Sequence, residues 1–391
     1  MGFDVPAGRT EERMEKHAAE QAVILIPSLE PDERLPKYVD SLIDAGFGLI
    51  LIVNDGSSQE YDPIFDSIEE KERCHVLKHE VNRGKGQALR TGIQYIRDHT
   101  TLDGVITADA DGQHTAPDTL KLAERLEKGK RELLLGSRDF SRNNKNIPAR
   151  SRFGNRMTSS VFAVLYGHWL PDTQTGLRAV ERACFDDLLA VTGDRFEYEM
   201  NMLIYCATNK IAFQIIPIET IYLEENKSSH FHPLRDSWRI YKLLLGSFFR
   251  YSAASILSFL VDYAVLSLIM FFIFRGSYAE STISFLGIRF AFRALVAAPI
   301  ARLCSAPVNF LLNKNYAFRI KESRGAVKRY IILAAACLVA TTVLFGFFDT
   351  FVHSNVLHIL LKVVIDVGLY IFNYRIQRNW VFRSSAGKEG A

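Results

Sequence analysis

Near residue 250 the chain changes the solvent it is written for. Beyond that point come four long apolar stretches, 251–274, about 291–312, 330–348 and 356–374. Each is close to the roughly 20 residues a helix needs to cross a bilayer. Before it, short Val/Ile/Leu-rich runs alternate with amphipathic stretches. Strands are predicted at Ala22–Ser28, Gly48–Asn54, His75–His79, Gly104–Ala108, Glu132–Gly136 and Ile211–Ile218, and helices at 34–45, 84–98, 117–128 and 197–208. Strand-helix alternation of this kind predicts a largely parallel, doubly wound α/β sheet. The organisation is therefore an N-terminal extension (1–21), an α/β domain (22–225), an amphipathic interfacial helix (226–248), a four-span membrane domain (249–384) and a short tail (385–391).

Charge follows the same division. The net charge of +3 conceals 16 Lys/Arg against 6 Asp/Glu from Arg250 onward, and 31 against 38 before it. An acidic soluble half ahead of a basic apolar half fits a cytosolic domain on a membrane anchor and gives no reason to expect nucleic acid as a partner. The five cysteines are scattered and never form CxxC, so neither a disulfide framework nor a zinc site is expected. The first 20 residues are charged and polar, so no cleavable signal peptide is expected. Lys314, Arg319, Lys321, Arg324, Lys328 and Arg329 between spans two and three, with Arg375, Arg378, Arg383 and Lys388 after span four, place that link and both termini in the cytoplasm. The protein is thus expected in the cell membrane as a multi-pass chain, and a homo-oligomer is compatible with the sequence.

Ligands of doubly wound sheets sit beyond the carboxyl ends of the strands, and three polar motifs begin there. The richest is Asp109-Ala110-Asp111-Gly112-Gln113-His114. Two carboxylates and an amide oxygen at alternating positions suit Mg²⁺ or Mn²⁺, which in turn suit a diphosphate. Asp109, Asp111 and Gln113 are the expected ligands, with Asp109 touching the metal less directly than Asp111, through the ribose or a water. Asn54-Asp55-Gly56-Ser57 follows the second strand; Asp55 either holds a base or ribose or closes an Asx-turn. Asn82-Arg83-Gly84-Lys85-Gly86 opens a helix, where backbone amides and Lys85 make a phosphate cradle. Arg138, Arg150, Arg152 and Arg156 form a cluster that is either solvated or faces a phosphate-bearing acceptor. Glu197 and Glu199 are the remaining paired acids, needed as a base only if the acceptor is a hydroxyl.

The basic and aromatic residues Trp238, Ile240, Tyr241, Leu244, Leu245, Arg235, Arg239 and Lys242 fall at helical spacing, as on an interfacial helix. The membrane half repeats itself: Asn309–Phe318 matches Asn373–Phe382, and Arg250-Tyr251 matches Arg329-Tyr330. Two related hairpins explain this most economically. Four charges fall inside spans, Asp262, Arg302, Lys362 and Asp366. Mid-membrane charges need partners, so Asp262–Arg302 and Lys362–Asp366 are the expected pairs.

Taken together, Ile26-Pro27, Val53–Ser57, Asn82–Gly86, Asp109–Gln113, Gly136-Ser137-Arg138 and Asp172–Arg178 resemble the family 2 glycosyltransferases, notably dolichyl-phosphate and polyprenyl-phosphate sugar synthases. Asn309–Phe318 and Asn373–Phe382 resemble the GtrA-type membrane signature. The resemblance covers nearly all of residues 22–384. It implies a GT-A (Rossmann-like) fold and metal-dependent, inverting transfer of one sugar from UDP-glucose, UDP-GlcNAc or GDP-mannose to a polyprenyl phosphate such as undecaprenyl phosphate. By that resemblance Asp109, Asp111 and Gln113 hold the metal. Pro27, Asp55, Gly56, Asn82, Lys85 and Asp109 serve the nucleotide sugar, Arg138 with Arg152 and Arg156 the acceptor phosphate, and Asp111 and Arg138 catalysis. Two departures stand out: Pro27-Ser28-Leu29-Glu30-Pro31 replaces the usual Pro-x-Tyr-Asn-Glu, and Asn54-Asp55 leaves one carboxylate where two are frequent. A polysaccharide synthase would carry Gln-x-x-Arg-Trp, whereas the nearest string here is Gln377-Arg378-Asn379-Trp380. A protein that only moves or scaffolds lipid-linked sugar would not need the acidic motif.

Overall fold

The structure is a computed structural model. It describes residues 17–126, 128–141, 144, 147–219, 221, 233–272, 282–285, 288–320, 325–349 and 355–382. Expectations placed on residues 1–16, on 226–232, on Lys321, Arg324, Arg383 and Lys388, and on the Lys362–Asp366 pair lie outside the described residues. The chain divides into two compact units, Met1–Leu244 and Leu245–Ala391.

In the first unit seven strands, β1 (Ala22–Ser28), β2 (Leu49–Asn54), β3 (Cys74–Lys78), β4 (Gly104–Thr107), β5 (Glu132–Ser137), β6 (Arg178–Glu181) and β7 (Ala212–Pro217), form one sheet. Their order is β3-β2-β1-β4-β6-β5-β7. β1 is buried at every position, as its Ala-Val-Ile-Leu-Ile sequence requires of a strand covered on both faces. The helices are α1 (Arg34–Asp44), α2 (Asp62–Glu69), α3 (Lys85–His99), α4 (Ala116–Arg125), α5 (Ala149–Tyr166), α6 (Phe185–Ala190) and α7 (Glu197–Asn209). They set one apolar face each on the sheet; Leu35, Val39 and Leu42 of α1 are fully buried against Ile24, Ile26 and Ile50.

All strand pairs are parallel except those of β6, which runs antiparallel to β4 and β5. This short strand was not foreseen. Its four residues, Arg-Ala-Val-Glu, carry a charge at each end instead of an apolar run, and tertiary partners make that tolerable: Arg178 Nε donates to Thr175 O (2.9 Å), and Glu181 caps Ala183 N (2.8 Å). The neighbours β1 and β4 lead to helices in opposite directions along the sheet, so their carboxyl ends open the crevice where ligands bind in such folds. Asp109 begins there, two residues past β4. The unit has the GT-A-type sheet.

The second unit contains long helices. α8 runs unbroken from Pro233 to Phe272 and carries the unit boundary within it. The expected interfacial helix and first span are thus one helix, because no proline interrupts 234–272 and Gly246 alone does not end it. Its stretch Ile240–Phe272 is long and apolar enough to cross a membrane. α9 (Phe292–Leu312), α10 (Ala326–Asp349) and α11 (Asn355–Ile376) follow, after an unforeseen hairpin of β8 (Thr282–Phe285) and β9 (Ile288–Ala291).

The repeat read from the sequence has a structural counterpart. α9 and α11 each run into a π-helical turn, Asn313–Ala317 and Gln377–Val381. Tyr330 donates to Asn309 (2.9 Å) in one copy, and Asn373 to Tyr251 (3.1 Å) in the other. Asn313 Nδ2 donates across to Gln377 Oε1 (3.0 Å), joining the copies. Asp262 accepts from Ser305 Oγ (2.7 Å), one turn beyond Arg302, the partner expected for it. A hydroxyl meets the carboxylate there without a second charge having to be desolvated.

Candidate active site

The acidic motif leaves β4 as a tight turn. Asp111 Oδ1 accepts from Gln113 N (3.0 Å), and Thr115 caps α4 at Asp118 N. Asp109 faces inward. Its Oδ1 lies 2.6 Å from Lys85 Nζ, and its Oδ2 lies 3.5 Å from His114 Nε2. Lys85 Nζ also reaches Glu199 Oε2 at 3.0 Å, so one ammonium bridges two carboxylates drawn from different helices and loops. Burial works against the charge of Lys85, yet Asp109 and Glu199 together hold its pKa above the lysine norm. Burial likewise opposes ionised Asp109, but Lys85 and His114 draw its pKa below the carboxylate range. Asp111 moves the other way: burial, then the charge of Asp109, raise it. Two adjacent acids are thereby split into one firmly anionic and one that holds a proton more readily.

The donor set fits a hard divalent cation only in part. Among the described residues no group of three or more His, Cys, Asp or Glu side chains is gathered closely enough to hold a metal. Two carboxylates and an amide oxygen fit Mg²⁺ or Mn²⁺ when substrate oxygens complete the shell, which is how Mg²⁺ is usually held beside phosphates.

The predicted nucleotide residues divide. Pro27 is in β1, paired with Val53, beside the crevice. Asp55, expected to meet base or ribose, instead turns inward with 5% of its side chain exposed. Its Oδ1 accepts from His79 Nδ1 (2.7 Å) and Arg83 N (2.9 Å), and its Oδ2 from Gly84 N (2.7 Å). His79 is fixed in turn by Thr91 Oγ1 (3.0 Å). The amides expected to cradle phosphate thus point at Asp55, and Gln87 N bonds Gly84 O and Asp194 O. Asp55 is the strut that shapes the Asn82–Gly86 loop. Gly56 beside it has φ +77, and a side chain there would overlap the backbone of Val81 and Asn82. Asn82 is exposed at the loop tip. Lys85 points from this loop to Asp109, joining the two motifs.

Of the residues expected to meet an acceptor phosphate, Arg138, Arg152 and Arg156 line one cavity of about 750 Å³, with Phe140, Phe153 and Trp169 among its walls. Arg150 is exposed and does not line it. Arg138 makes a two-pronged pair with Asp172, Nε–Oδ2 2.7 Å and Nη2–Oδ1 3.2 Å. Arg152 Nη2 donates to Asn144 O (2.7 Å) and Ile147 O (3.2 Å), so it holds its own loop. Of the paired acids, Glu199 enters the site through Lys85, whereas Glu197 Oε1 accepts from Asp194 N (3.4 Å) at the start of its own helix.

Sequence reasoning missed His79, the ring of His114 and the role of Asp172. His79 ends a strand and gave no signal of its own, while Asp172 lay in plain view within Asp172–Arg178 without an assigned part.

The chain is similar in sequence and fold to known proteins. Residues 23–189 match the family described as glycosyl transferase family 2, and residues 250–382 the GtrA/DPMS transmembrane domain. The UDP-N-acetylglucosamine–dolichyl-phosphate N-acetylglucosaminyltransferase of Methanococcus voltae is 29% identical over 216 residues, covering 51% of this chain and 86% of that protein. Glycosyltransferase AglJ of Haloferax volcanii is 27% identical over 218 residues, covering 56% and 69%. Among solved structures, glucosyl-3-phosphoglycerate synthase from Mycobacterium tuberculosis, in complex with Mn²⁺, UDP and phosphoglyceric acid, superposes with a TM-score of 0.44 at 15% identity, covering 62% of this chain and 84% of that one.

Proposed function

We propose that this chain, whose residues 23–189 match glycosyl transferase family 2 and whose residues 250–382 match the GtrA/DPMS transmembrane domain, is a membrane-associated glycosyltransferase that transfers one sugar, with inversion, from a nucleotide diphosphate to a polyprenyl phosphate at the cytoplasmic face of the membrane. One observation supports the reading: an acidic strand end and an arginine-lined, aromatic-walled cavity lie in one unit and are joined by a short loop, whose Pro171 lines the cavity and whose Gly176 lies against Asp109. The first suits the donor diphosphate, the second an anionic headgroup with a greasy tail.

Asp111, with Asp109 and Gln113, would hold Mg²⁺ or Mn²⁺, which when bound supplies positive charge to the departing nucleoside diphosphate. Lys85 adds a second cation at the same end, already 2.6 Å from Asp109. Arg138 and Arg156 at the cavity wall orient the acceptor phosphate, and Phe153 and Trp169 receive the start of its chain. A phosphate monoester is largely ionised at neutral pH and attacks without a general base. That requirement agrees with Glu199, the acid best placed to act as base, being held by Lys85 instead. The apolar Ile240–Phe272 stretch keeps the enzyme where such an acceptor resides.

The test uses washed membranes with labelled UDP-GlcNAc, the donor named in the Methanococcus voltae relative, then UDP-glucose and GDP-mannose. Label should enter an organic-extractable, mild-acid-labile lipid only when Mg²⁺ or Mn²⁺ is added, and Asp111→Ala should abolish it. Label in long water-soluble polymer alone would instead establish a polysaccharide synthase.

A further inference from the structure

The loop between α5 and β6, Pro171–Gly176, touches both halves of the site, and no step described so far uses it. At its start, Asp172 is fully buried, with none of its side chain exposed. Its carboxylate grips Arg138 through two hydrogen bonds and accepts Gln174 N at 3.0 Å. At its end, Gly176 lies so close to Asp109 that a Cβ there would overlap the carboxylate. Everything between is anchored. Asn155 Nδ2 donates to Pro171 O (2.5 Å), and Asn155 Oδ1 accepts from Thr173 N (3.2 Å). Arg178 Nε holds Thr175 O, and Thr107 Oγ1 donates to Gly176 O (2.8 Å).

A fully buried carboxylate is costly, and a turn alone does not need it, since a neutral asparagine would accept Gln174 N equally well. The charge has one partner, Arg138, which also lies over the Phe140 ring at 5.3 Å from its centroid. Arg138 shares its cavity with Arg152 and Arg156. Three like charges repel, and without an anchor a long guanidinium would turn away. We propose that Asp172 is a positioning residue for acceptor use: it fixes the Arg138 guanidinium at the cavity wall. The rigid loop to Gly176 then sets the spacing between that arginine and the donor-side carboxylate Asp109. The inference rests on the proposed transfer to a lipid phosphate.

The experiment measures steady-state kinetics of the full chain in detergent, with undecaprenyl phosphate as acceptor and the active nucleotide sugar as donor. Asp172→Asn should raise the acceptor KM about tenfold, with donor KM and Mn²⁺-dependent nucleotide affinity within about twofold of the unchanged protein. Arg138→Gln should do the same. The double variant Asp172→Asn with Arg138→Gln replaces the ion pair by a neutral pair of similar shape. It should recover the thermal midpoint but not the acceptor KM, and should be no worse than Arg138→Gln alone. Recovery of acceptor KM together with the midpoint would make the pair merely structural and overturn the proposal. So would a fall in kcat with acceptor KM unchanged, or a donor KM that rises equally. If the unchanged protein transfers nothing to the lipid phosphate, the functional reading itself fails. If it transfers and Asp172→Asn is silent, only this inference fails.

Discussion

The two units bury polar groups in opposite ways. Around the active site the buried charges are paired: Lys85 with Asp109 and Glu199, Arg138 with Asp172, and the Asp55 carboxylate with the His79 ring and two backbone amides. In the membrane unit most of the hydrogen bonds that join helices among the described residues pair neutral groups, with Asp262 on Ser305 an exception. Asn313 meets Gln377, Tyr330 meets Asn309, Asn373 meets Tyr251, and Ser247 meets Tyr374 (2.6 Å). The difference follows from what each must do. A transferase needs preorganised charge where charge develops in the transition state, and accepts the desolvation. A helical unit in lipid needs only specificity of packing, and neutral amide and hydroxyl bonds supply it without burying ions.

The contrast breaks most sharply at Gly176. Gly176→Ala should cut divalent-ion-dependent transfer by about 100-fold, because its methyl displaces Asp109, while nucleotide-free stability changes little. Transfer rates against thermal midpoints would check it; an unchanged rate would mean that Asp109 can shift without consequence.

Next comes Lys85→Met, which leaves Asp109 and Glu199 facing each other without a cation. It should cost about 3 kcal/mol in urea unfolding of the first unit, and adding Glu199→Gln should return part of it. The sign with pH is defined. Asp109 has a lowered pKa, so its contribution is present above the ordinary carboxylate value and lost only as pH falls below that range. Lys85 has a raised pKa, so its contribution is complete below the ordinary lysine value and lost as pH climbs past it. The pair should therefore add no pH dependence to wild-type unfolding from about pH 6 to pH 9. Titration of Asp109 or Lys85 in the folded protein within that window would contradict the pairing.

His79→Ala removes one strut from Asp55 and should weaken nucleotide binding about tenfold by loosening the Asn82–Gly86 loop, read by calorimetry. Asparagine at 55 should do less, since it still accepts the Arg83 amide. The smallest effect belongs to the membrane unit. Asn313→Leu should destabilise it by about 1 kcal/mol, leaving Gln377 without its cross-repeat partner. Changing both residues to leucine should cost less than the single change. Detergent-to-SDS unfolding measures this, and a double variant worse than either single one would show that the repeats rely on polarity more than on packing.

Much of the architecture was legible because it follows from periodicity. Buried parallel strands must be apolar throughout, so β1, β2 and β4 announced themselves, and the acidic motif after β4 could be placed at a strand end. β6 could not be read: four residues bounded by Arg178 and Glu181 look like surface loop until Thr175, Glu199 and Ala183 satisfy them. The site divided in the same manner. Residue types and their spacing singled out Asp109, Asp111, Lys85 and Arg138. Asp55 showed its carboxylate but not which way it faced.

What the order of amino acids determined alone was the presence of two solvents in one chain, the strand-helix rhythm, and the duplicated Asn-to-Phe segments, since burial and bilayer thickness act on local composition. What only tertiary structure decided was partnership. Lys85 and Glu199 lie 114 positions apart, and Arg138 and Asp172 34 apart. No local rule pairs such charges; the fold does, by bringing distant segments together so that each buried ion finds its opposite.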